Sequence, residues 1–151
     1  MQRRQEGFTY VVVMFMVAVL AIASVRALES AKTAEKRDKE TQLLWAGMAY
    51  RNAIAAYYHQ SPTGKRYANK LSDLLYHGDL NNPTRPLRKL YRDPITGAKD
   101  WGVVRNDDGG IIGVYSLSTL IPMKRDGFPH ELAAFAGAKK YSDWKFVFNP
   151  N

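Results

Sequence analysis

Gly7-Phe8-Thr9-Tyr10-Val11-Val12-Val13-Met14-Phe15-Met16-Val17-Ala18-Val19-Leu20-Ala21-Ile22-Ala23-Ser24-Val25 is the stretch on which the fold turns. The 18 residues from Phe8 to Val25 carry no charge. As an α-helix they span roughly 27 Å at 1.5 Å per residue, close to the hydrocarbon thickness of a bilayer. The residues before them, Met1–Gly7, are polar and basic, with Arg3 and Arg4, and the next charge is Arg26.

The helical pattern does not stop at Val25. From Arg26 to Gln60 there is no proline and a single glycine, Gly47. Glu29, Lys32, Glu35, Lys36, Lys39 and Glu40 set opposite charges three or four residues apart. Such pairs support an exposed helix by a few tenths of a kcal/mol each, so this part reads as a solvated face. From Leu43 the pattern changes: Leu43, Gly47, Tyr50, Ile54 and Tyr57 recur at helical spacing, and Trp45, Ala49, Ala53 and Ala56 widen the stripe. This half is expected to pack on a folded domain. Phe8 to Tyr58 as one helix is about 76 Å long.

Three readings of the apolar run compete. In one it is a secretory signal peptide cut at Ala21-Ile22-Ala23, leaving Ser24 first. In a second it is an anchor that is never cut. In the third the short leader stays in the cytosol and the cut falls between Gly7 and Phe8. The third is preferred, because a helix-forming sequence continues past Ala23 without a turn-rich segment, and because the polar-to-apolar boundary has its own chemistry, with two arginines, Gln5-Glu6, one glycine, then Phe8 and Thr9.

Gly7-Phe8-Thr9, after a short basic leader and before a long uncharged helix, resembles the class III leader of type IV pilins and type II secretion pseudopilins. The resemblance implies that a membrane-embedded prepilin peptidase cuts after Gly7 and methylates the new amine of Phe8. A glycine lets the backbone extend into a narrow peptidase cleft. The family usually has glutamate five residues after the cut, where it neutralises a neighbouring subunit's amine; here that assembly position is Val12. A buried amine without that partner is costly. Val12 therefore points to a minor subunit, or to an amine satisfied by carbonyls or Thr9.

The chain has 151 residues, a formal net charge of +8 and no cysteine. That length allows one small domain beside an anchor. Basic residues before an apolar helix are expected on the cytoplasmic side, which sends the bulk of the chain to the periplasm in a Gram-negative cell, or to the outer face of the membrane otherwise. The lack of cysteine excludes a lipid-anchored cysteine, a disulfide scaffold and thiolate zinc sites. It also excludes the disulfide that closes many type IV pilins, and so tilts the resemblance toward secretion pseudopilins.

Ser61-Pro62-Thr63-Gly64 ends the helix. Ala68 to Tyr76 reads as a short helix with Leu71, Leu74 and Leu75 inward, and Asn81 to Pro86 as an irregular loop. Leu90 onward offers a short strand before the turn Asp93-Pro94-Ile95-Thr96-Gly97. Trp101–Arg105 and Ile111–Leu117 read as strands joined by the hairpin signal Asn106-Asp107-Asp108-Gly109-Gly110. Asp126-Gly127-Phe128-Pro129 is a turn, and His130–Phe135 one or two helical turns. Trp144, Phe146 and Phe148 alternate with Lys145, Val147 and Asn149, a half-buried strand.

The expected fold is α+β: a long N-terminal helix, its first half transmembrane, packed against an antiparallel sheet of three to four strands. The expected divisions are a leader 1–7, a transmembrane half 8–25, a periplasmic half 26–60 and a globular pilin-like region 61–151. Asp93-Pro94, Trp101-Gly102 and Val114-Tyr115-Ser116-Leu117-Ser118 are similar, with stretched spacing, to the loop and sheet of the major secretion pseudopilin.

No catalytic constellation stands out. His59, His77 and His130 are scattered without metal-ligand spacing, and neither G-x-S-x-G nor a phosphate-binding glycine loop occurs. Ser116, His130 and Asp126 form only the kind of set that any chain of this size supplies by chance. The expectation is no enzyme and no cofactor. Calcium is the one alternative, because the resemblance implies a calcium loop in major secretion pseudopilins; Asp107, Asp108 and Asp126 lie in loops as hard-oxygen ligands would. Against it, the segment after the Y-S-L strand, Thr119–Arg125, is basic and apolar. Lys65, Arg66, Lys70, Arg85, Arg88, Lys89 and Arg92 form a basic sector opposed by Asp73 and Asp79. It reads as solvated surface, as a contact for an acidic neighbour, or as a DNA-binding face in an uptake pilus.

The resemblance as a whole implies a structural subunit of a type II secretion filament. Its partners would be prepilin peptidase, other pseudopilin or pilin subunits, an inner-membrane assembly platform and secreted substrates. The alternatives are a minor or DNA-uptake pilin and a soluble secreted domain.

Overall fold

The computed structural model describes residues 6–61, 64–76 and 85–150. Residues 1–5 of the leader, Pro62 and Thr63, His77, Asp79 and most of the loop expected at 81–86 lie outside them. The chain divides into two compact units, Met1–Lys36 and Arg37–Asn151.

A single helix, α1, runs over Glu6–Gln60. An uninterrupted backbone of this length follows from the lack of proline. In the first unit the large apolar side chains from Phe8 to Leu28 are exposed, with Phe8 at 76% and Phe15 at 70%. This helix, near the N-terminus, is long and apolar enough to cross a membrane, and none of its apolar window is buried.

In the second unit, the α1 residues Leu43, Ala46, Tyr50, Ala53 and Ile54 are buried in the core. Against them lies a three-stranded antiparallel sheet, β1 (Gly102–Arg105), β2 (Ile111–Tyr115) and β3 (Phe146–Val147), in the order β1-β2-β3. The fold is therefore α+β, as the sequence implies. Gly47 is where helix and sheet come closest: a Cβ added there would lie 2.3 Å from the Phe146 ring. The helix carries glycine at this point because an aromatic ring occupies the space of a side chain.

The hairpin forms as read. Gly109 N–H donates to the Asn106 carbonyl at 3.0 Å, and Gly110 N–H donates to Asn106 Oδ1 at 2.7 Å. Gly109 takes φ +82°, which only glycine adopts cheaply. The extra residue appears as a register shift between Val104 and Arg105.

Four local expectations are corrected. Residues 90–92 are no strand: the Tyr50 hydroxyl accepts from Tyr91 N–H at 3.0 Å and donates to the Tyr91 carbonyl at 3.2 Å, and Trp101 Nε1–H donates to that carbonyl at 2.8 Å. Side chains thus hold the groups a ladder would need. β2 stops at Tyr115 rather than Leu117, because Ser118 N–H donates to Ser116 Oγ and turns the chain. β3 is only two residues long, since a 3₁₀ turn, Tyr141–Asp143, takes Trp144 out of the ladder; Trp144 and Phe146 are nevertheless fully buried. Trp45 does not widen the core stripe and is 59% exposed. It stands two residues from both Leu43 and Gly47, a spacing that puts it on another side of a helix.

The two expected short helices are 3₁₀. Leu71–Leu75 buries Leu74, with Leu71 and Leu75 packed against the core in part. His130–Phe135 is kinked at Leu132 and buries Leu132 and Phe135. Phe135 stacks on Trp144 with centroids 5.7 Å apart and meets Phe146 edge-on at 5.0 Å.

Candidate functional site

Gly7 and Phe8 lie in the first turns of α1, and Val12 is 37% exposed one turn later. The proposed processing point and the assembly position therefore belong to the same exposed apolar helix rather than to the folded core. Each large apolar side chain left in water forgoes about 1.5–3 kcal/mol of burial. Over Phe8–Val25 that sum favours an apolar environment.

The best-organised polar cluster in the second unit centres on Glu40, which sequence reasoning placed on a solvated face. Glu40 is only 4% exposed. Its carboxylate accepts from the Tyr141 hydroxyl at 2.8 Å, from Met123 N–H, and from Lys124 N–H at 3.3 Å. One helical side chain thus holds the loop after β2 and the Tyr141 turn together. Tyr141 N–H donates to the Leu120 carbonyl at 3.0 Å, and Ser142 N–H to the Ser118 carbonyl at 3.1 Å, which stitch the same two loops. Burial, then the hydrogen bond and charge of Glu40, push the Tyr141 phenol up from its ordinary range. A signal for this role is present in the sequence: Glu40, Leu43, Gly47, Tyr50 and Ile54 follow one another at alternating steps of three and four, so Glu40 continues the core stripe.

A second buried carboxylate ties the Asp93-Pro94 turn to the segment just after β2. Asp93 is fully buried, accepts from Ser116 Oγ at 2.6 Å and from Ile95 N–H at 2.9 Å. Ser116 is thereby committed to Asp93 and not to His130 or Asp126. Arg51, which the sequence did not single out, joins the helix to the sheet: its Nε–H donates to the Val147 carbonyl at 3.0 Å, and a guanidinium nitrogen lies 3.2 Å from Glu131.

Asp107 and Asp108 sit at the hairpin tip and Asp126 in a separate turn, all exposed. Among the described residues no three carboxylate, histidine or cysteine groups gather as a metal site would require. The loop after β2 is instead held by the Glu40 carboxylate.

The basic sector is exposed throughout at Lys65, Arg66, Lys70, Arg85, Arg88, Lys89 and Arg92. Among the described residues, four of its members line two separate depressions. Lys65 and Arg66 line a hollow beside the hairpin with Tyr58, Tyr67 and Asp108. Arg88 and Lys89 line a different groove, beside Trp45 and Tyr91. Lys70 N–H caps the 3₁₀ helix through Asp73 at 2.9 Å, and the Arg92 guanidinium donates to the Gly97 carbonyl at 3.2 Å.

No protein-family model, no curated protein and no solved structure matches the chain.

Proposed function

We propose that the chain is a pseudopilin-like structural subunit, processed by a prepilin peptidase between Gly7 and Phe8 and held in the inner membrane by Phe8–Val25. One observation carries this reading. A single unbroken helix, Glu6–Gln60, has an uncharged, exposed stretch over Phe8–Val25 and a later part that contributes to the core of an α+β unit. An anchor with its own hinge or linker would not need such continuity.

The mechanism is mechanical, not catalytic. The apolar half of α1 rests in lipid, N-terminus toward the cytoplasm and folded unit toward the periplasm. Extraction by an assembly platform exchanges lipid contacts for those of neighbouring helices in a filament core. The cost of exposing Phe8–Val25 to water is avoided on both sides of that exchange. The sheet unit then decorates the filament, where secreted substrates or other subunits meet it. Val12 in place of the family's glutamate suits a minor position in such a filament.

Mass spectrometry of the mature N-terminus tests the reading. Methylated Phe8 is the expected first residue, and Gly7→Ala leaves the uncut precursor in the membrane. A mature chain beginning at Ser24 refutes the proposal and makes the protein a secreted domain.

A further inference from the structure

We infer that the groove between α1 and the segment before the Asp93 turn docks an extended acidic peptide. Its walls are Trp45, Ala49 and Asn52 on the helix and Arg88, Lys89 and Tyr91 opposite. Trp45 is a large aromatic left 59% exposed on the half of α1 that otherwise supplies the core. Its ring is not loose: it stands edge-on to Tyr91 with centroids 4.8 Å apart. Tyr91 is fixed in turn, because both of its backbone polar groups bond to the Tyr50 hydroxyl. Lys89 Nζ lies 5.6 Å over the Tyr91 ring. The groove is therefore a pre-organised aromatic edge, so an occupant meets little ordering cost in the protein.

Charge selects the occupant. Arg88 and Lys89 are exposed at one wall, and no described lining residue is acidic. A peptide with carboxylates on one side and flat apolar groups on the other matches both walls; proline supplies the flat group in an already extended backbone. Nucleic acid fits less well. Tracking a strand takes a run of cations and successive stacking faces, whereas here two cations line the groove, and Trp45 and Tyr91 are already set edge to face.

Every wall residue belongs to the unit 37–151, so the inference does not depend on where the N-terminus is cut. Trp45 also provides the readout, since Trp101 and Trp144 are buried. The full chain in zwitterionic detergent is titrated with a synthetic peptide alternating glutamate and proline, and with its glutamine–proline and lysine–proline counterparts. The glutamate peptide is expected to change Trp45 emission saturably and to weaken as salt is raised. The combined Arg88→Gln and Lys89→Gln variant, whose changes are confined to exposed side chains, is expected to bind about tenfold more weakly, a loss of about 1.4 kcal/mol. Calorimetry on Trp45→Ala is expected to find the binding lost while the near-UV circular dichroism of the buried aromatics persists. Equal binding of the three peptides, no binding of the glutamate peptide, or tighter binding of an oligothymidylate than of that peptide overturns the inference. Mature N-terminal sequencing on the same preparation keeps this outcome separate from that of the filament reading.

Discussion

Replacing Gly47 by alanine tests the packing of helix on sheet by the sign of its effect. Helix propensity alone predicts a gain of about 1 kcal/mol, since glycine is that much worse than alanine inside a helix. The structure predicts a loss. The new Cβ would lie 2.3 Å from Cε2 of Phe146 and 2.4 Å from Cδ2 and Cζ, where ordinary contact begins at 3.4 Å. The ring would have to retreat by about 1 Å, and it has no room. Phe146 is fully buried, with Phe135 edge-on at 5.0 Å behind it. Overpacking of this kind costs about 1–3 kcal/mol, and a rigid ring belongs at the upper end. Net destabilisation of about 2 kcal/mol follows, or a fall in Tm of roughly 8 °C for a unit of this size. The assay is thermal unfolding of the detergent-solubilised chain, followed by near-UV circular dichroism so that the aromatic core is what is watched. Phe146→Leu, which clears the ring, should remove most of the penalty of Gly47→Ala in a double-mutant cycle. A rise in Tm for Gly47→Ala alone would refute the placement of Phe146 on the helix.

Further outcomes follow from the buried polar groups. Tyr141→Phe removes one donor from Glu40 and should cost about 1.5–3 kcal/mol, while Glu40→Ala leaves the Met123 and Lys124 amides without their acceptor and should cost about 1–3 kcal/mol for each amide that stays shut off from water; hydrogen exchange at residues 118–125 that does not quicken in Glu40→Ala would contradict the clamp. Burial pushes the Tyr50 phenol up to about 12 from 10.0. Above pH 10 the unfolded chain loses that proton while the folded chain keeps it, so stability declines as pH rises from 10 to about 12. Tyr50→Phe should be less stable at neutral pH, by about 1–3 kcal/mol for the Tyr91 groups it abandons, and should show a shallower alkaline decline; parallel Tm-versus-pH curves would count against the assignment.

How far the sequence carries can be read from individual residues. The missing proline over Phe8–Gln60, the uncharged run and the Asn106–Gly110 hairpin are local facts, set by backbone sterics and by the polarity of neighbouring side chains. They gave the long helix, its apolar first part and the β1–β2 hairpin. Leu74 and Phe146 were placed inward by periodicity alone. Glu40, by contrast, looked like one more member of a charged helix face. Its partners Tyr141 and Met123 are 101 and 83 residues away, and nothing near Glu40 announces them. The same holds for Tyr50 and Tyr91, whose bond replaces the strand expected before the Asp93 turn.

What the sequence by itself determined, then, is where the backbone must be helical, where it must turn and which run needs an apolar surrounding, because these depend on neighbours a few residues apart. Only the tertiary structure decided which distant groups satisfy the buried carboxylates, that no strand forms before the Asp93 turn and how long each strand runs. Those outcomes depend on which distant polar groups arrive to satisfy one another, and a buried donor or acceptor is stable only where its partner has already been brought by the rest of the fold.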